Sequence, residues 1–536
     1  MDENKKRTWI GSQIETYKYD GTKKLDEKNP KWLQDDYVKF IRFAQYQIDL
    51  TGSGVVGYIV PHGFLDNPTF RYMRKSLMSS FSKIYILDLH GNDNKNETDK
   101  EGNKDENVFD IKQGVAIVLL VKEPKQKLCE VYHGDLYGKR EEKFSSLENG
   151  NFKKLCHTRL EPSGEMCYFI PRTTDSNYES FWSVKDVFNV NGVGITTAHD
   201  EFVIDASKDK LLSRFEQFKK SLRDTEILHK TFQVKKKNGW DILKGYDNIQ
   251  NIKNLNSLIQ PIAYRPFDNR HIFYEDRLVW RTVRQIMKHM KSNNIAIITN
   301  RAIKGQDIST FFIANDLVDF HILETANANP YIFPLYLYDE NKADLFGESK
   351  TTNFTEAFKT HKTEHLAHFS DEQIFYYIYG LLHSPTYRTR YNEFLKSDFP
   401  RIDFGYDIAK ISAYGEELAQ LHLLTHEIFE DSSEWGITKL GDDLTISFAR
   451  KADIYSDGKI YINPKTYISG IDKEVFEFMI GGYQVLDKWL SDRKNTTLTI
   501  DELLHYMKII VSLRETTRVM GEIDKIVDIQ NNEADK

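Results

Sequence analysis

Between Ile262 and Asp307 the chain places nine bases, Arg265, Arg270, Arg277, Arg281, Arg284, Lys288, Lys291, Arg301 and Lys304, against Asp268, Glu275, Asp276 and Asp307. Nine against four leaves a local formal charge of +5 in a chain whose total is −7. Tyr264, Phe267, His271, Phe273, Tyr274 and Trp280 are interleaved with these bases. Cations at this density neutralise phosphates, a guanidinium can read a guanine edge, and rings can stack on bases. The plain alternative is a solvated charged face. Arg281 and Arg284 stand three apart on an expected helix, from which both could reach one phosphate strand. A second basic cluster, "FQVKKKNGW", lies just upstream and is the fallback surface.

Two other groups of residues invite a chemical reading. His62 and Asn67 follow the apolar run "GYIV", at the carboxyl end where α/β sheets hold ligands. They are candidate active-site loop residues, although a loop His more often orders its own turn. His422 and His426 stand four apart with Glu427 beside the second, a spacing that suggests a metal on a helix. The order H-E-x-x-H and a third ligand are both lacking, so no metal site is expected. Cys129, Cys156 and Cys167 form no C-x-x-C pair and fit a reducing compartment.

The elements that must position these residues are legible in part. "DYVKFIRFAQYQIDL" sets Tyr37, Phe40, Ile41, Ala44 and Ile48 on one helical face, with Gly52 as its stop. "VVGYIV", "KIYILDL" and "GVAIVLLVK" read as buried strands. Asn67-Pro68 opens the helix between the first two. The last two are joined by the polar stretch "GNDNKNETDKEGNKDENVFDIKQG", expected to be a mobile loop, and should form an antiparallel hairpin at the sheet edge. Further on, 371–430 is helical and Asp457-Gly458 has type I′ turn chemistry.

Length and composition set the frame. A chain of 536 residues implies two or three domains, and 40% hydrophobic with 29% charged residues is a globular composition. The N-terminus lacks an apolar h-region and no window is long enough to span a bilayer, so a cytoplasmic location and no membrane partner are expected.

The strings "NPKWLQDDYVKFIRFAQYQI", "DNPTFRYMRKSLM", "IYILDLHGN", "DENVFDIKQGVAI", "YRPFDNRHIFY", "YIFPLYLY" and "GGYQVLDKWLSDR" resemble the C-terminal portion of type ISP restriction-modification enzymes. Those are single polypeptides with a nuclease, a helicase-like motor, an adenine-N6 methyltransferase and a target-recognition domain. The resemblance runs from about Trp9 to about Asp524. It implies an α/β fold: the C-terminal half of a Rossmann-like methyltransferase sheet, followed by a mixed α+β and helical target-recognition domain. The expected boundaries are 1–125 for the half-sheet, 126–245 for a helical connector and 246–536 for recognition. It implies that Phe109, before the last sheet strand, stacks on a flipped target base, and that the +5 segment lies in the recognition domain.

The departure is equally informative. The catalytic N-P-P-Y motif of such methyltransferases does not occur here, so no catalytic residue is assigned, and Asn329-Pro330-Tyr331 is a chance likeness. The glycine motif for S-adenosylmethionine is also lacking. The family's cofactor is therefore not expected on this chain alone, and an upstream polypeptide would supply that half. The partner expected is double-stranded DNA. The rival reading is a DNA-binding specificity module without catalysis, or a remnant of a split gene.

Overall fold

The structure, a computed structural model, describes residues 8–25, 30–93, 97–98, 103–124, 128–164, 166–171, 178–237, 239–302, 310–325, 328–344 and 347–534. Lys304 lies outside the described residues. The chain divides into two compact units, Met1–Glu179 and Ser180–Lys536.

Unit 1 contains helices α1 (Trp9–Glu15), α2 (Asp36–Thr51), α3 (Arg71–Ser80) and α4 (Arg140–Asn149). Its strands are β1 (Gly54–Pro61), β2 (Lys83–Asp88), β3 (Val115–Lys122), β4 (Glu130–Asp135) and β5 (Thr158–Leu160). Local signals act as expected. Gly52, at φ +77°, ends α2 by donating its N–H to Ile48 O at 2.9 Å. Asn67 caps the 3₁₀ turn Pro68–Phe70 that leads into α3. Arg74 on α3 is fully buried, and its guanidinium donates to the carbonyls of Phe64, Asn67, Met166 and Cys167. One buried cation thus holds two loops by matching its donors to carbonyls.

Strand order corrects the expected edge hairpin. The sheet runs β1-β3-β2-β4-β5, so β3 is threaded between β1 and β2 and is antiparallel to both. β4 pairs parallel to β2, and β5 closes that side. The near-continuous apolar run "VAIVLLV" suits an interior strand covered on both faces better than an edge. Because β4 and β5 pair into this sheet, unit 1 runs past the boundary expected at residue 125. Ile84, Ile86, Val118 and Leu120 join Ile41 and Leu77 in the core beneath the helices.

The other edge is different. Among the described residues β1 has no strand on its outer side. Val55 and Ile59 are 65% and 53% exposed there. Helix α2 buries Val38, Ile41 and Gln45 and leaves Phe40 60% exposed, with Phe43 and Leu50 also open. Of the expected stripe, Ile41 is in the core and Tyr37 and Ile48 pack against it, while Phe40 points away from it.

Unit 2 is a mixed assembly of small sheets and helices. Helices α5 (Lys208–Lys220), α6 (Thr225–Thr231) and α7 (Ile242–Gln250) precede a hairpin of β6 (Ile259–Arg265) and β7 (Asp268–Phe273). Phe215 of α5 stacks on Phe273 of β7 at 3.7 Å. The expected connector is thus divided, its later helices belonging to unit 2. Short helix α8 (Arg284–Met287) leads to β8 (Ala296–Asn300), which pairs with β9 (Phe311–Ala314) and β10 (Pro330–Pro334). Helices α9 (Asp371–His383) and α10 (Ile408–His422) approach closely where Gly380 faces Gly415. His422 accounts for its own burial: Nδ1 bonds Tyr379 and Nε2 lies 2.9 Å from Thr516 Oγ1, while His426 caps the next turn. No metal is needed to explain either. A hairpin turns at Asp457-Gly458, both with φ above zero, as the sequence predicts. No described helix is long and apolar enough to cross a membrane.

Candidate functional site

The carboxyl ends of β1, β2 and β4 meet the start of β3 at one rim of the unit 1 sheet. His62, just past β1, is buried there, and its backbone N–H bonds Gly114 O at 3.0 Å. Its Nδ1 lies 3.1 Å from Asp88 Oδ1, and Asn92 Nδ2 lies 3.0 Å from its Nε2. Burial alone pushes the Asp88 carboxyl up, but the His62 and His90 rings beside it outweigh burial and hold it well below the usual range. His90 is also buried; desolvation lowers its pKa, but Asp88, Asp135 and Glu97 dominate and raise it to about 10. Its Nε2 lies 2.9 Å from Asp135 Oδ1, and its ring stacks on Tyr137 at 3.8 Å. His133 is buried nearby with neither ring nitrogen hydrogen-bonded among the described residues.

His62 is therefore placed at the rim by the structure, but turned inward. Asn67 is committed to the backbone of Thr69. Sequence reasoning missed His90, Glu97, Asp88 and Asp135. For Asp88 and His90 the signal was the string "DLHGND" at the end of a buried strand, where polar residues crowd a sheet end; Glu97 and Asp135 left none.

The polar stretch after β2 is less free than expected over its described later part. Lys143 of α4 is fully buried and donates to Asp105 Oδ2, Leu89 O and Glu106 O, each at 2.7 Å. Asn107 Nδ2 donates to Gly91 O at 3.0 Å and Gln113 O at 2.8 Å. Gly91, at φ +74°, admits this approach because a Cβ would sit 2.3 Å from Asn107 Cα. Asn107 Oδ1 accepts the Phe109 N–H, and Arg140 donates to the carbonyls of both residues. This frame presents Phe109, 43% exposed, on a cleft of about 630 Å3 shared with Asp93, Ile111, Lys139 and Arg140. A ring held out by its own backbone bonds is available for stacking.

In unit 2 the basic segment is sorted by its partners. Arg265 is buried against Asp319 at 2.9 Å and Glu324 at 3.0 Å. Arg270 pairs with buried Asp268 at 2.7 Å, which Arg493 also contacts at 2.7 Å. Both arginines lie over the Tyr264 ring, at 4.0 and 4.1 Å. Arg301 meets Asp398 at 2.9 Å, and Arg284 meets Asp276 at 2.6 Å. Lys288 is half-buried after α8. Three of these carboxylates, Asp319, Glu324 and Asp398, come from outside the segment and offset its +5. Arg281 and Arg284 do not share a helix, because Arg281 bridges Thr196 and α8 starts only at Arg284.

Arg277 and Arg281 are exposed, and a second cationic turn lies against Trp280, which stands between them in sequence. Lys237 Nζ sits 5.0 Å above the Trp280 ring, and Gly239 abuts the same ring. Lys235, Lys236 and Lys237 are all exposed, Lys236 pairing with Glu226. Trp240 packs on His199 at 4.6 Å, anchoring the turn. The two basic clusters read separately from the sequence thus form one surface around Trp240 and Trp280.

Pro330 and Tyr331 are residues of β10, paired with Asn300 and Thr299, so the Asn-Pro-Tyr string serves a sheet.

Comparison with known proteins follows this division. The model of the family described as "Type ISP C-terminal specificity domain" matches residues 186–522. Among solved structures, the ATP-dependent type ISP restriction-modification enzyme LlaBIII bound to DNA is 21% identical, with a TM-score of 0.67 over 96% of this chain and 35% of that one. A DrdV–DNA complex is 22% identical, TM-score 0.64, over 96% of this chain and 54% of that one. A nuclease-deletion mutant of the type ISP enzyme LlaGI with a DNA substrate mimic is 20% identical, TM-score 0.62, over 96% and 42%. At these identities the likeness is one of fold, and the chain spans only about a third to a half of each structure's length. No curated protein matches the chain.

Proposed function

Since this chain belongs to the family of the type ISP C-terminal specificity domain, we propose that unit 2 recognises a DNA target through the surface where Lys235–Lys237 meets Arg277–Arg281. The observation that carries this reading is the convergence of two exposed cationic turns around Trp240 and Trp280. Cations supply affinity for phosphate, and rings beside them can contact bases or sugars. The three similar structures are each described with DNA, which supports the same partner. Selection from a pool of random duplexes tests it. The full chain is expected to enrich one short sequence at moderate salt. Retention of duplexes without any enrichment would reduce the surface to a nonspecific grip.

For unit 1 we infer the C-terminal half of an adenine-N6 methyltransferase sheet. The open edge of β1, flanked by Phe40, Phe43 and Leu50, is the place where the other half of such a sheet would pair. Phe109, presented at the rim, would replace the stacking of an extruded adenine. The described residues do not by themselves fit S-adenosylmethionine: His62 is bonded to Asp88 and Asn67 to Thr69, leaving no open cradle in the loop after β1. No step is derived through the cofactor. This chain alone, given labelled S-adenosylmethionine and its target duplex, is expected to transfer no methyl group. Adding a polypeptide with the glycine loop and N-P-P-Y should restore transfer, and Phe109→Ala should lower it. Transfer by this chain alone would overturn the half-sheet reading and leave its binding role intact.

A further inference from the structure

We propose that His62, His90 and Glu97 form a divalent-cation site, suited to Zn2+, that locks the stretch after β2 onto the loop after β1. One ligand atom from each of the three lies within 4.8 Å of the others. Tetrahedral bonds of about 2.0–2.1 Å put neighbouring ligands roughly 3.3 Å apart, so small side-chain rotations close the site. His90 Nδ1 already lies 3.9 Å from Glu97 Oε1.

The surroundings favour a metal over a fortuitous grouping. Histidines that bind metals almost always direct the other ring nitrogen to a carboxylate or carbonyl, which fixes the ring and its tautomer. Both rings here do so. His62 Nδ1 faces Asp88 Oδ1 at 3.1 Å, turning Nε2 towards Asn92, and His90 Nε2 faces Asp135 Oδ1 at 2.9 Å, turning Nδ1 towards Glu97. Asn92 stands at the fourth corner, its amide 3.0 Å from His62 Nε2, and turned over it would offer Oδ1. Its N–H holds Glu97 Oε2 at 2.8 Å and so aims that carboxylate. Three carboxylates, buried Asp88, half-buried Glu97 and exposed Asp135, meet two buried rings, and a divalent ion offsets their charge. Two imidazoles with one or two oxygens suit Zn2+, whereas Mg2+ and Ca2+ prefer oxygen throughout.

The ion's work would be structural. It would tie the loop after β1 to the stretch after β2, which already meet through the His62–Asp88 and Asn92–His62 hydrogen bonds, and it would steady the frame that presents Phe109.

The test uses the full chain, stripped with chelator and then given Zn2+ alone. One equivalent should remain after desalting, and Co2+ in its place should show the visible absorption of a tetrahedral site. Glu97→Gln should abolish retention, Asp135→Asn should weaken it by about 10–100-fold, and His426→Gln should leave it unchanged. Glu97 lies at the rim, and a melting curve confirms that its variant is folded. Retention of Zn2+ by folded Glu97→Gln, or failure of the parent chain to retain any, would overturn the site. The cluster would then be a proton-holding charge network around His90.

Discussion

Replacing Lys143 by methionine is expected to destabilise unit 1 by about 3–5 kcal/mol, the range for removing one partner of a buried ion pair. Lys143 and Asp105 are both fully buried, 2.7 Å apart. Methionine keeps much of the volume, so the loss is electrostatic. Asp105 would keep the Gly138 N–H at 2.6 Å but lose its countercharge, and the carbonyls of Leu89 and Glu106 would each lose a donor. The effect should concentrate where the pair acts. Hydrogen exchange should rise across 103–114, and the cleft wall with Phe109 should loosen before the strands do. Urea unfolding of parent and variant provides the energy, and the double variant Lys143→Met with Asp105→Asn should recover part of it. A loss under about 1 kcal/mol would mean that water or another cation already satisfies Asp105.

The second large effect concerns the composite surface of unit 2. Replacing Lys235, Lys237, Arg277 and Arg281 together by glutamine is expected to lower DNA affinity on the order of 100-fold at low salt. Each phosphate contact contributes about 0.9 to the slope of log affinity against log salt, so the slope should fall by up to roughly 3–4. All four are exposed, so the fold should survive. The matched control removes Lys410 and Lys473, equally exposed bases elsewhere in unit 2, and should leave the slope almost unchanged. An unaltered slope in the fourfold variant would place the interface elsewhere. Arg265 and Arg270 are poor choices for this experiment. Their loss would strand Asp319 and Asp268 and report on stability.

What could be read from the sequence followed the range of the forces involved. The Gly52 stop, the Asn67 cap and the Asp457-Gly458 turn depend on a few neighbouring residues, and all appear in the structure. Strand order was not legible in the same way, because whether β3 flanks β2 or enters the gap beside it is decided by pairing with β1 some sixty residues earlier. Charge counting failed for a related reason. A window shows Arg265 and Arg301 but not Glu324 or Asp398, which reach them through the fold. The rim cluster was the least visible, since it is assembled from three strand ends and a following loop whose polar residues look ordinary one by one.

The threading of β3 between β1 and β2 also has a consequence in time. A ribosome releases β1 and β2 first, and the strand that belongs between them follows only after the whole polar stretch. At about 5–20 residues per second, the roughly 34 residues from Asp88 to Lys122 take some 2–7 s to appear. Throughout that interval the inner edges of β1 and β2 have no native neighbour, and closing up on each other would shut the slot that β3 must enter. The nascent chain therefore depends on α3 and its crossover to hold the two strands one strand-width apart until the third arrives.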